Sequence, residues 1–172
     1  MDRPEDYRRL QRETPPVTER DKENRHVVIT ASLTNGLARV EYGMPAAVAL
    51  VDEVLKLNHI HWETTLYVGQ TEFYRTKAGP LPNHQLRISV RPSAGVAALN
   101  YMDHDDPRQP ISNSSNTRYH VFDVDLIFNG STGLVFPRTA VLPIPDVRRA
   151  LIEWLHTWQR PRCVDWQPFD SY

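Results

Sequence analysis

The stretch His59-Ile60-His61-Trp62-Glu63 carries the residue types most suited to chemistry in this chain. In an extended segment His59, His61 and Glu63 share one face, and two imidazoles with a carboxylate are a set that holds a divalent metal. His59 also follows a helical stretch, where an imidazole meets the last carbonyls and the negative end of the helix dipole. Both readings stand at this level. Asp123 and Asp125 alternate with apolar residues in YHVFDVDLIF, so they form either a carboxylate pair for metal or acid–base work or the wet face of a strand. Cys163, the one cysteine, sits in QRPRCVDWQ beside Arg160 and Arg162. Neighbouring cations lower a thiol pKa, but a nucleophile also needs a positioned base, and the nearest histidine, His156, falls inside the preceding helix. Cys163 therefore reads as a small apolar residue of a last strand.

A different kind of signal lies between residues 103 and 125. Asp103, Asp105, Asp106, Asp123 and Asp125 face only Arg108 and Arg118 there, which makes one locally acidic sector flanked by Tyr101 and Tyr119. Such a sector suits a basic surface on another protein, for example the nucleic-acid cleft of an enzyme. Elsewhere the chain has no phosphate loop, glycine-rich dinucleotide fingerprint, nucleophile elbow or metalloprotease helix. No catalytic residue, resident metal or cofactor is expected.

Composition narrows the partners. Of 172 residues, 20 are Lys or Arg and 21 are Asp or Glu, so no global field draws the chain to nucleic acid or an anionic membrane. One cysteine excludes an internal disulfide framework. The apolar runs are far shorter than the roughly 20 residues of a membrane span, and no secretory signal opens the chain. The expectation is a cytoplasmic protein.

The elements that must position these residues follow from periodicity. Residues 1–25 hold seven acidic and seven basic residues and little apolar bulk, which predicts a mobile arm. From His26, HVVITASL alternates, Asn35-Gly36 marks a hairpin, and LARVEY returns. Pro45 opens a helix through PAAVALVDEVLKL. Strands are expected at Trp62 to Val68, TEFYRT, HQLRISV, VAALNYM and YHVFDVDLIF, with 103–118 a polar loop. Pro145 starts a second helix with an apolar stripe of Val147, Leu151, Trp154, Leu155 and Trp158. Pro161 ends it, and Cys163 to Trp166 form the last strand. Hairpin-length links imply antiparallel pairing. The expected architecture is α+β, a mostly antiparallel β-sheet with two main helices on one face, in one domain over 26–172.

The closing segment GLVFPRTAVLPIPDVRRALIEWLHTWQRPRCVDWQ resembles that of the Imm1-type immunity proteins of bacterial polymorphic toxin systems. The matching pieces are Phe136-Pro137, Val141 to Pro145, the helix to Trp158, Arg160-Pro161 and Val164 to Trp166. The resemblance implies a non-enzymatic inhibitor that binds and occludes a cognate toxin domain, often a nucleic-acid deaminase. The residues chosen for toxin contact, from charge and exposure, are Tyr101, Asp103, Asp105, Asp106, Tyr119, Asp123 and Asp125. Two other classes remain open. One is a metal-dependent enzyme built on His59, His61 and Glu63 or on Asp123 and Asp125; the other is an adaptor that binds through its N-terminal arm.

Overall fold

The computed structural model of the chain describes residues 26–73 and 84–169. The charged segment 1–25 and the second half of the expected strand TEFYRT lie outside the described residues, and Thr71 to Phe73 form no strand. The alternation from His26 builds β1 (Val28–Ser32), whose Ile29 and Ala31, with the flanking Val27 and Leu33, enter the main core. Asn35-Gly36 turns the chain as expected. The Asn35 side-chain oxygen accepts the Leu37 N–H at 3.1 Å, and Gly36 takes φ 83°, a value that favours glycine. The return strand is β2 (Ala38–Tyr42), followed by α1 (Met44–Val54) with Pro45 in its first turn.

The remaining elements are β3 (Thr64–Gly69), β4 (His84–Arg91), β5 (Val96–Asp103), β6 (Ile111–Ser115), β7 (Ile127–Asn129), β8 (Leu134–Val135), β9 (Leu142–Pro143), α2 (Ile144–Thr157) and β10 (Asp165–Pro168). One sheet runs in the order β10-β6-β5-β4-β3-β1-β2 with every neighbour antiparallel, and β9 adds to the start of β5. The β7–β8 hairpin is separate. Both helices lie on one face, where Leu50, Val51 and Val54 of α1 and Val147, Leu151, Trp154 and Leu155 of α2 close over Ile29, Leu66, Leu86, Ile88 and Leu99. Each such side chain contributes roughly 1.5–3 kcal/mol by leaving water, before the entropy of ordering is counted. Arg148 grips both carboxylate oxygens of Asp52 (2.7 and 3.2 Å) and ties the two helices together at the surface. The α+β arrangement with helices on one face is the one expected.

Three local expectations are overturned. The supposed loop 103–118 contains β6, which bridges β5 and β10. Its ISNSS sequence is polar because its side chains bond inward. Ser114 donates to the Ala140 carbonyl (2.7 Å) and accepts the Leu99 N–H (3.0 Å), while the Asn100 amide donates to Asn113 at 2.9 Å. Conversely, most of YHVFDVDLIF pairs with no strand; ladder pairing begins only at Ile127. Its alternation is real, since Leu126 and Phe128 join a second core on the far face, with Phe122 and Val124 packed against it. Burial without ladder partners produced the same pattern that a strand would. Helix α2 stops at Thr157, with Trp158 in the left-handed region (φ 54°), before Pro161 is reached, and β10 starts at Asp165 rather than Cys163.

Candidate functional site

The turn around Cys163 is built by a carboxylate. Glu153 in α2 accepts the N–H groups of Arg162 (2.7 Å) and Cys163 (3.1 Å), which fixes the chain as it leaves the helix. Burial, and then the Glu153 carboxylate, push the Cys163 thiol up to about 11, so at neutral pH it carries its proton. Arg160 does not activate it. Its guanidinium bonds Asp106 (3.0 Å) and the Gln109 carbonyl, and lies over the Tyr101 ring at 5.6 Å.

The His59–Glu63 stretch does not gather ligands. His59 is fully buried; its Nδ1–H donates to the Leu57 carbonyl (2.9 Å), which leaves Nε2 to accept the Thr64 hydroxyl at 2.7 Å. Thr64 in turn accepts the Thr34 N–H at 3.0 Å. Burial lowers the His59 pKa, in keeping with a neutral ring whose two nitrogens are both occupied. His61 points to solvent. Glu63 accepts the Gly130 N–H at 2.8 Å and faces Arg87 at 3.8 Å. Three residues that an extended strand would align are thus separated, because the chain is not a strand until Thr64.

The acidic sector divides in two. Register places His84 opposite Asp103 at one end of the β4–β5 hairpin and Arg91 opposite Val96 at the other. Asp125 belongs to the second end, since its carbonyl accepts from Arg91 (3.3 Å). Eight-residue strands at about 3.3 Å per residue put the two ends roughly 20 Å apart. Asp123 and Asp125 both pair with Arg138, the Asp125 contact being 3.0 Å, so their charge is balanced on the spot. Tyr119 stands apart from these, donating its hydroxyl proton to Asp146 at 2.8 Å.

At the first end, Tyr101 is wholly buried and offers no surface; burial pushes its pKa up, and its hydroxyl meets His84 Nδ1 at 3.3 Å. Asp106 is neutralised by Arg160, whose hydrogen bond lowers its pKa. Asp103 and Asp105 face His84 instead (3.5 and 3.2 Å), and the Asp103 and Asp105 side chains are 17% and 67% exposed. These three bring ligand-type atoms within 4.8 Å of one another, and they already hydrogen-bond among themselves. A groove of about 720 Å³ runs past them to Trp158, Arg162 and Trp166.

A second concavity, of about 560 Å³, lies on the sheet face away from the helices, over β1, β3 and β4. Its floor is Ser32, Thr65, Tyr67, Gln85 and Arg87, and its rim includes Trp62 and the Asn35-Gly36 turn. Trp62 is 49% exposed yet fixed. Its carbonyl accepts the Thr34 hydroxyl at 2.6 Å, and its ring lies so close on Gly130 that a Cβ there would overlap it. Arg87 donates to the Phe128 carbonyl (2.8 Å) and lies over the Phe128 ring, 4.5 Å from its centroid. Sequence reading passed over Trp62, Gln85 and Arg87. The available signal was the polar alternation Thr65/Tyr67 and Gln85/Arg87, together with an indole in a loop.

An antiparallel sheet backed by two helices on one face, with a groove at the His84 end and a concavity below Trp62, defines the chain as an α+β protein. The chain matches the protein family described as Immunity protein Imm1 over residues 46–168, and it belongs to that family. No curated protein matches it.

Proposed function

We propose that this protein is the immunity partner of a bacterial toxin domain that acts on nucleic acid, of the deaminase type, and that it protects the producing cell by covering the toxin's substrate cleft in the cytoplasm. The observation that carries this reading is membership of the immunity family across most of the chain. Occlusion asks for a rigid complementary surface and no chemistry, and the half-buried, protonated Cys163 and the internally bonded His59 suit that. An enzyme that acts on nucleic acid offers phosphate-binding cations at its mouth. Among the seven residues expected to touch it, Asp103 and Asp105 are the best placed, because among the described residues no arginine pairs with them. Tyr101 and Asp106 support that surface from within, Asp123 and Asp125 lie at the far end of the β4–β5 hairpin paired with Arg138, and Tyr119 steadies the start of α2. Residues 26–172 work as one binding domain, a reading supported by the first strand, β1, and the last, β10, belonging to the same sheet.

The test is co-expression. A cell carrying the toxin domain encoded beside this chain survives when the chain is expressed and dies when it is not. Death in both cases contradicts the reading. The metal-enzyme alternative finds no support, since neither of its ligand sets is brought together with free atoms.

A further inference from the structure

We propose that two copies of this chain pair through the outer edge of β2, antiparallel and centred on Val40, so that one sheet runs through both. This contact is independent of the immunity reading above. β2 ends the sheet, and the backbone bonds at its two ends fix which of its groups point outward. The Gly43 N–H donates to the Val27 carbonyl (2.7 Å), and the Leu37 carbonyl accepts the Leu33 N–H (2.8 Å). Between them the register pairs Ile29 with Glu41 and Ala31 with Arg39, so residues 37, 39, 41 and 43 turn their backbone groups to β1. Ala38, Val40 and Tyr42 turn theirs away, and among the described residues no strand meets them. Such an edge is a template for another strand.

The order of side chains selects which strand that is. Ile29 and Ala31 lie in the helix-side core, so their cross-strand partners Glu41 and Arg39 share that face, where Arg39 also bonds Glu53 of α1 (3.1 Å). In the Val40-centred pairing each Arg39 stands directly across from Glu41 of the other copy, at positions where opposed side chains come closest. Sliding the strands by two residues sets Glu41 against Glu41 or Arg39 against Arg39, and a slip of one sets outward backbone groups against inward ones. Edge charges ordinarily keep other strands away; here their opposite signs on either side of Val40 reject those registers and accept one. In that register Val40 and its counterpart exchange both backbone hydrogen bonds, as do Ala38 and Tyr42. On the face away from the helices the two Val40 side chains meet, and Tyr42, 52% exposed and stacked on His26, lies beside Ala38 of the other copy.

The experiment is sedimentation of the full chain across concentration, with backbone amide exchange on the same samples. Two short edges make a small contact, so pairing is expected to set in at roughly 100 μM. At about ten times that concentration the Ala38, Val40 and Tyr42 N–H groups should exchange about threefold or more slowly than in dilute protein, while those of Arg39 and Glu41 are protected in both. Arg39→Glu and Glu41→Arg should each weaken self-association about tenfold or more, because each sets like charges across the edge. An equimolar mixture of the two variants should pair again, since every charge then faces its opposite, and the double variant should pair with itself. A wild-type chain that sediments as one copy up to about 1 mM overturns the pairing. So does self-association that leaves the Ala38, Val40 and Tyr42 amides unprotected or survives in both single variants, and so does a mixture of folded variants that stays unpaired. Each of these results leaves protection against the toxin as a separate question, answered by co-expression.

Discussion

Single residues separate structure from chemistry most sharply at Cys163 and His59. A thiol raised to about 11 by burial and Glu153 reacts only through its thiolate, which is scarce at neutral pH. Cys163→Ser should leave protection unchanged, and alkylation of the wild-type thiol should accelerate tenfold per pH unit (about tenfold, first order in thiolate) up to roughly pH 11. Alkylation that is already fast and flat at pH 7 would refute this. His59 has the opposite sense. Its folded pKa is depressed, so the unfolded chain binds its proton first and stability falls as pH drops below about 6.5. Urea unfolding between pH 7.5 and 5 should show this loss, and His59→Gln should flatten it. Trp166, which donates to the Pro161 carbonyl (2.7 Å) and sits edge-on to Tyr101, was legible from the sequence as a core-facing residue. Half-buried, it should cost about 2–3 kcal/mol when replaced by Ala, measured by the same unfolding.

At the level of elements, the two helices, the first hairpin and the β4–β5 pair were legible because one face of each is apolar at a regular spacing. β6 was not. Its inward side chains are Ser and Asn, whose burial is made tolerable by partners on β5 and at Ala140, far away in sequence. Ser114→Ala should therefore cost about 1–3 kcal/mol, a large effect for the loss of one oxygen, because it strands the buried Leu99 N–H. Segment 119–126 failed in the reverse sense, since period-2 burial needs an apolar floor but no ladder. The acidic sector misled for a related reason. Neighbours along the chain were assigned to one patch, but the hairpin register and Arg138 divide them. Trp62 was missed because its value comes from Gly130, 68 residues on in the chain. Gly130→Ala would drive a Cβ into both the His61 carbonyl and the indole, so it should displace the 61–62 loop and cost about 1–3 kcal/mol of stability by unfolding.

For the whole molecule, membership of the immunity family is the observation that points to toxin immunity. The family match begins at residue 46, beyond the charged segment 1–25. Removing that segment should leave toxin affinity within about threefold of the full chain, since the family match lies wholly beyond it. Loss of binding on that deletion would favour the adaptor reading. The most direct test of the central claim is a titration of toxin activity on its nucleic acid with this protein. Inhibition by occlusion predicts that activity falls linearly and reaches zero at one equivalent, with active toxin recovered once the complex is dissociated. Activity that persists with the chain in excess, or that decays with time at a small fraction of an equivalent, would contradict it.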